Sequence, residues 1–323
     1  MIRFATIGSN FIVHRFLEAA KEIDGFEHVA VYSRKQEVGD NLAREYGIHK
    51  VYTDLTAMAE DKEIDAVYVA SPNALHMSQS ILMMTHGKHV ICEKPIASNA
   101  RELALMEAAA EKYQVVLMEA LKSVHCPGYD AVKSNLTKLG KIRNVTFNFL
   151  QYSSRYDNYK QGIIENAFKR ELSNGALMDI GVYPLHVMLS LFGKPKETKA
   201  SAIMLSNGAD AAGTILCEYD DFLATLIYSK IASFEGNQIQ GEAATMLIDK
   251  ISDIKKVEIV YKDGTREDVP VAKKVTMCYE IEKFVAHIKF KQTDLLAVTR
   301  LEMEMLDQLR GQLGIEFPAD KEK

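Results

Sequence analysis

The stretch IRFATIGSNFIVHRFLEAAKEI, residues 2–23, decides the fold. Ile2–Ile7 is an apolar run of strand length, and Phe11–Ile23 then sets Ile12, Phe16, Ala19, Ala20 and Ile23 at helical spacing. Between them lies Gly8-Ser9-Asn10. Strand, glycine turn and helix in that order open a dinucleotide-binding unit, whose full signature is Gly-x-Gly-x-x-Gly. Only Gly8 matches here. Asn10 stands at the second glycine and Val13 at the third. Asparagine tolerates left-handed backbone better than other non-glycine residues. The helix N-terminus offers free backbone N–H groups to a pyrophosphate, so Gly8, Ser9, Asn10, Phe11 and Ile12 are the candidate phosphate contacts.

Outward from this stretch, strand and helix keep alternating. The pattern predicts strands at His28–Tyr32, Ala66–Ala70, His89–Cys92 and Val115–Met118. Between them it predicts helices at Val38–Tyr46, ending at Gly47, at Met77–His86, ending at Gly87, and at Ala100–Tyr113. Such alternation implies a doubly wound parallel sheet with right-handed crossovers. After residue ~120 the pattern changes. Val145–Tyr152, Thr214–Tyr219, Phe222–Ser229, Ser233–Gln240, Ala243–Asp249 and Val257–Tyr261 read as strands separated by turn residues, with Asp263-Gly264 as a hairpin signal. Tyr279–Phe290 and Leu295–Leu313 read as closing helices. The expected architecture is α/β: a Rossmann domain over residues 1–120, then an α+β domain with a large, mostly antiparallel sheet over 121–323.

Composition narrows the function classes. Of 323 residues 47% are hydrophobic and 26% charged, a globular balance with enough apolar material for two cores. The net charge of −5 argues against a general nucleic-acid binder. No apolar run is expected to reach the ~20 residues of a membrane helix. The opening Met1-Ile2-Arg3-Phe4 reads as a strand, so no signal peptide is expected. Cys92, Cys126, Cys217 and Cys278 form no CxxC pair and match no zinc spacing, so no metal is expected. Free thiols fit a reducing compartment, and the expected location is cytoplasmic.

Cofactor choice is read at the end of the second strand, where an NAD-selective site places a carboxylate for the ribose hydroxyls. Here stand Ser33, Arg34 and Lys35, while Asp24 precedes Gly25 in the turn before that strand. A hydroxyl and cations suit a 2′-phosphate. NADP is therefore favoured, with NAD the alternative. Ser71-Pro72-Asn73-Ala74-Leu75-His76 and Glu93-Lys94-Pro95 follow the third and fourth parallel strands, at the carboxyl ends where doubly wound sheets bind ligands. Far downstream comes Gly175-Ala176-Leu177-Met178-Asp179-Ile180-Gly181-Val182-Tyr183-Pro184-Leu185-His186.

With Glu93-Lys94-Pro95, the Asp179-x-Gly181-x-Tyr183 segment and the N-terminal nucleotide fold, the chain resembles the glucose–fructose oxidoreductase / inositol dehydrogenase (Gfo/Idh/MocA) family over nearly its whole length. Many members carry His four residues after the Asp. Tyr183 resembles instead the subgroup of glucose–fructose oxidoreductase and dimeric dihydrodiol dehydrogenase. The resemblance implies hydride exchange between nicotinamide and a CH–OH or carbonyl group. It implies Tyr183 as acid/base, Lys94 as its partner, and Asp179 either orienting Lys94 or hydrogen-bonding substrate. A phenol titrates near ~10, and a nearby ammonium favours the phenolate. Ser71, Pro72, Asn73, His76, Glu93 and Lys94 are implied cofactor neighbours.

Several residues keep two readings. His76 lies by the cofactor or caps a helix. His186 touches substrate or packs. Arg155 and Tyr156, like Lys169 and Arg170, line the pocket or belong to a solvated loop. His14 is expected on the surface, and Met303 and Met305 in core or interface. The leading function is an NADP-dependent dehydrogenase or reductase of a sugar, polyol or diol. The alternatives are an NAD-dependent cyclitol dehydrogenase and a non-catalytic dinucleotide-binding redox regulator. An open sheet face with Leu216, Leu223, Ile227 and Ile248 is expected to make a homo-oligomer, dimer or tetramer.

Overall fold

A computed structural model describes residues 1–234, 236–272, 277–290 and 294–321. They divide into two units, Met1–Ala120 with Lys274–Ala297, and Leu121–Lys273 with Val298–Lys323. The segment Lys274–Ala297, which the sequence reading assigns to the C-terminal half, groups with the nucleotide fold instead.

The first unit runs β1 (Ile2–Ile7), α1 (Phe11–Ala20), β2 (Phe26–Tyr32), α2 (Gln36–Tyr46), β3 (Lys50–Tyr52), α3 (Leu55–Glu60), β4 (Ala66–Val69), α4 (His76–Thr85), β5 (His89–Glu93), α5 (Ala100–Tyr113) and β6 (Leu117–Ala120). Its sheet is parallel, in the order β3-β2-β1-β4-β5-β6. The chain direction of winding reverses between β1 and β4, so their carboxyl ends form the crevice where such sheets bind ligands. All four residues of β4 are buried, as a strand covered on both faces requires. Phe4, Phe16, Phe26 and Tyr68 pack as an aromatic cluster, with Phe16 stacked on Tyr68 at 3.7 Å. The expected β6 lies two residues later than the apolar pattern suggests. Short β3 and α3 escaped the pattern because neither carries a clear period.

The second unit contains α6 (Pro127–Asn135), β7 (Ile142–Leu150), α7 (Ser154–Lys160), α8 (Val182–Phe192), β8 (Glu197–Met204), β9 (Asp210–Glu218), β10 (Leu223–Ser229), β11 (Asn237–Gly241), β12 (Ala244–Ile248), β13 (Val257–Tyr261) and β14 (Arg266–Val269). These eight strands lie in the order β14-β13-β12-β11-β7-β10-β9-β8, antiparallel except for β7 beside β10. α9 (Cys278–Phe290) returns to the first unit, where Ile281 and Phe284 join its core. α10 (Ala297–Leu313) buries Met303, Met305 and Leu306. The expected strand Ser233–Gln240 includes Glu235, which lies outside the described residues; pairing starts at Asn237.

Two expectations are corrected. Ile248 is buried on the inner face, while its neighbour Leu247 is only partly covered, because adjacent strand residues point to opposite sides. The run Arg170–Phe192 is long and apolar enough, by length and composition, to cross a membrane; 72% of its apolar window is buried. It is the apolar turn Leu177–Gly181 and α8, which cover the inner face of the sheet.

Candidate active site

In the first unit the functional groups gather at the carboxyl ends of β1, β2, β4 and β5. Gly8 ends β1 with φ +120°, a region other residues rarely adopt. A Cβ there would lie 2.6 Å from the Ala70 carbonyl oxygen. The backbones of β1 and β4 therefore approach so closely that only glycine fits. Asn10 does the work of the missing glycine by another route. It caps α1, with Oδ1 accepting from the N–H groups of Ile12 (3.1 Å) and Val13 (3.4 Å), and its Nδ2 donates to Ala70 O at 3.3 Å. The N–H of Phe11, the first of α1, has no acceptor among the described residues. Val13 is fully buried under the sheet. Ser9 and Ile12 are half-buried and Phe11 is exposed.

At the end of β2, Ser33 is buried and its Oγ accepts from Lys35 N–H at 3.4 Å. Arg34 and Lys35 are exposed, and neither side chain forms an ion pair among the described residues. Asp24 sits at the other end of this strand.

The turn after β4 is tied to the Glu93-Lys94-Pro95 loop by His76. The ring is fully buried, with Nε2 2.8 Å from Ser71 O and Nδ1 2.9 Å from Pro95 O. Burial holds its pKa below the ordinary imidazole value, against the two carbonyls, which favour the charged form. His76 positions the two loops, and its place beside the cofactor turn is as the sequence reading has it. Ser71 and Pro72 are half-buried and Asn73 is buried. Glu93 is likewise buried and accepts from the Tyr68 hydroxyl, so it fastens the loop to the core. Lys94 is half-buried and joined to Pro95 by a cis peptide bond. Past it, Ile96 N–H donates to Glu119 Oε1 at 3.0 Å, and Ser98 N–H to Glu102 Oε2 at 2.8 Å. Glu119 went unnoticed in the sequence. Asn99-x-x-Glu102, a helix-capping pattern, was a readable signal for where the loop ends.

In the second unit a wide π turn, Leu177–Gly181, runs into α8 and places Asp179 and Tyr183 on one face four residues apart. Tyr183 is half-buried, edge-on to Phe149 at 5.2 Å. Asp179 forms an ion pair with Lys230, which follows β10 and was not picked out by sequence. The turn itself is held by Asp210, whose Oδ2 accepts from Leu177 N–H at 2.6 Å. Burial pushes the Asp210 carboxyl up to about 6, against backbone hydrogen bonds and Lys230. Burial, with Asp210 adding to it, also raises the Tyr228 phenol.

His186 is buried, with Nδ1 2.6 Å from Glu302 Oε2 of α10. Arg155 lies 3.7 Å from Glu165, and Tyr156 is half-buried among Tyr152, Tyr159 and Phe168. Lys169 and Arg170 are half-buried, with Arg170 against Gly208. His14 lies at the surface beside Glu45 and Tyr46.

Comparisons place both halves of the chain in one family. Residues 2–121 match the oxidoreductase family with an NAD-binding Rossmann fold, and residues 135–246 match the GFO/IDH/MocA C-terminal domain. The chain is 45% identical over 327 residues to scyllo-inositol 2-dehydrogenase (NADP(+)) IolU of Bacillus subtilis (strain 168), covering 99% of this chain and 100% of that one. It is 26% identical to trans-1,2-dihydrobenzene-1,2-diol dehydrogenase of Xenopus tropicalis, over 95% and 96% of the two chains. Its fold is that of KijD10, a 3-ketoreductase from Actinomadura kijaniata solved with NADP and TDP-benzene, at TM-score 0.87 and 21% identity over 97% and 98% of the chains. The glycine cradle at Gly8 and the unengaged Phe11 N–H fit a dinucleotide pyrophosphate. With both halves matched in order, this chain belongs to the Gfo/Idh/MocA family of NAD(P)-binding oxidoreductases.

Proposed function

We propose that the protein is an NADP(H)-dependent oxidoreductase of a polyhydroxy alcohol, with a cyclitol such as scyllo-inositol as the first substrate to test. The observation that carries the cofactor choice is the end of β2, where no carboxylate stands: a buried Ser33 hydroxyl beside two exposed cations, Arg34 and Lys35, with no ion pair among the described residues. A 2′-phosphate suits those groups, whereas a bare ribose would lack its carboxylate acceptor. The relative named for scyllo-inositol and NADP(+) supports both the cofactor and the substrate class.

Bound nicotinamide supplies the hydride chemistry. The chain's own groups bind and move the proton. Tyr183 exchanges a proton with the substrate oxygen. The family resemblance assigns Lys94, half-buried at the end of β5, a part in that proton chemistry. Asp179 accepts a hydrogen bond from a neighbouring hydroxyl of the substrate. Exposed Leu216 and Leu223, on the outer face of the eight-stranded sheet, support self-association into a dimer or tetramer. Four buried free thiols support a cytoplasmic location.

A 340 nm assay with NADP and NAD over a panel of cyclitols, sugars and diols tests this reading. Turnover of a cyclitol with NADP at higher kcat/KM than with NAD is expected. Arg34→Ala should weaken NADPH by roughly tenfold, the loss of one charged hydrogen bond, and leave NADH nearly unchanged. Equal affinities in the parent, untouched by the substitution, would end the NADP assignment. Turnover confined to dihydrodiols would move the substrate to the class named for the vertebrate relative.

A further inference from the structure

We propose that Lys230 is a positioning residue for the reaction, pinning the Asp179 carboxylate in its ionised form one helical turn before Tyr183. The part Asp179 plays toward a hydroxyl group rests on the polyol reading above; the pinning does not. Lys230 is fixed by the sheet on both sides. Its backbone N–H donates to Ala211 O at 2.8 Å, and its carbonyl accepts from Ser153 N–H at 2.9 Å. Its side chain then runs inward, where the ammonium meets Asp179 and lies 5.1 Å from the centre of the Phe168 ring.

The exposure of the pair is unequal, and the asymmetry gives it direction. The Lys230 side chain is 4% exposed and that of Asp179 29%. An incoming molecule therefore meets the carboxylate, with the ammonium behind it. An ion pair built only to join two elements gains nothing from ending on the turn that carries Tyr183. A buried ammonium needs a counter-charge, and a carboxylate backed by a cation stays ionised and acceptor-only. That is the form that takes a hydroxyl donor and rejects a second acceptor. Asp210 of β9 also feels the charge of the ammonium, and Tyr228 of β10 lies beside Asp210. Asp210 is engaged with the backbone of Leu177, so Asp179 is the carboxylate that Lys230 presents.

The test is a carbon-13 NMR titration of the Asp179 carboxyl in the full-length protein labelled at aspartate, read beside pH profiles of kcat/KM for scyllo-inositol with NADP. Lys230→Gln keeps much of the side-chain length and removes the charge. It should raise the Asp179 midpoint by about one pH unit, the scale of one close charge. The acid limb of kcat/KM should move with it, and substrate KM should rise about tenfold, while NADPH affinity by fluorescence stays at the parental value. Lys230→Arg should restore the midpoint. Lys230→Gln combined with Asp179→Asn should be no slower than Asp179→Asn alone, since the two act as one unit. Lys230→Met serves where the glutamine variant folds poorly. An Asp179 midpoint unmoved in a folded, uncharged variant, or additive losses in the double variant, overturns the proposal. No cyclitol turnover in the parent would count against the substrate reading, and the NMR midpoint would still decide the pinning.

Discussion

The turn at Gly8 and the turn at Asp179 solve the same problem in opposite ways. At the first, the candidate ligand groups are backbone atoms, and side chains serve to shape them. Gly8 is there because nothing larger fits against Ala70, and Asn10 is there to cap α1 and tie it to β4. At the second, the groups offered are side chains, and buried charges shape them: Lys230 behind Asp179, and Asp210 under Leu177. A backbone site depends on shape and a side-chain site on charge. The first should therefore fail by steric change and be indifferent to pH, and the second should fail by chemistry and respond to pH.

The largest expected effect lies in the second region. Tyr183→Phe keeps the ring against Phe149 and removes the hydroxyl. Stopped assays with the best substrate should show kcat lower by roughly 10²–10⁴-fold, the range for a lost acid/base group. NADPH affinity should hold, because Tyr183 is not among the candidate cofactor-binding residues. A kcat within a factor of a few of the parent would take Tyr183 out of the proton path. Gly8→Ala should be the counterpart in the first region. The new Cβ meets the Ala70 carbonyl at 2.6 Å on a backbone with φ +120°. Strain of this kind costs on the order of 1–3 kcal/mol, so NADPH binding should weaken by roughly ten- to hundredfold. That loss should be equal at pH 6 and pH 8. A pH-dependent loss at Gly8 would break the contrast drawn between the regions.

The same contrast explains how much could be read from sequence. Strand, Gly8 turn and α1 are contiguous, so the first region was legible from residues 2–23 alone. The basic turn at Ser33 and Arg34 was legible for the same reason. Lys94, Asp179 and Tyr183 were found through short motifs, each local. Their supports were not found, because each lies far along the chain: Lys230 is 51 residues from Asp179, Asp210 is 33 from Leu177, and Glu302 is 116 from His186. No period or spacing encodes a partner across that distance. The tie His76 makes between the two loops was equally hidden, since the Pro95 carbonyl that meets its second nitrogen lies 19 residues on. Ile248 was assigned to the wrong face because a strand's phase, once slipped by one residue, inverts every side.

The smallest expected effect tests whether the second region is governed by charge at its base. Burial raises the Asp210 carboxyl from 3.8 to about 6. A carboxyl whose folded pKa lies above its unfolded value binds more protons in the native state, so its contribution to stability is full below about 3.8. It is lost progressively as pH rises through about 6. Each pH unit of that interval carries ~1.4 kcal/mol, which sets a scale of about 3 kcal/mol for the whole window, about 2 kcal/mol of it between pH 4 and pH 6.5. Asp210→Asn keeps an oxygen for the Leu177 N–H and removes the proton equilibrium. In urea melts of parent and variant from pH 4 to pH 8, the stability of Asp210→Asn relative to the parent should climb by about 2 kcal/mol between pH 4 and pH 6.5, then stay level. Every other titrating group cancels in the difference, so the shape of the curve belongs to this carboxyl. A flat difference would mean that Asp210 stays ionised throughout, held by Leu177 and Lys230 more strongly than burial opposes it. The turn carrying Asp179 and Tyr183 would then rest on a permanent charge, and the pH response of the second region would have to come from Asp179 itself.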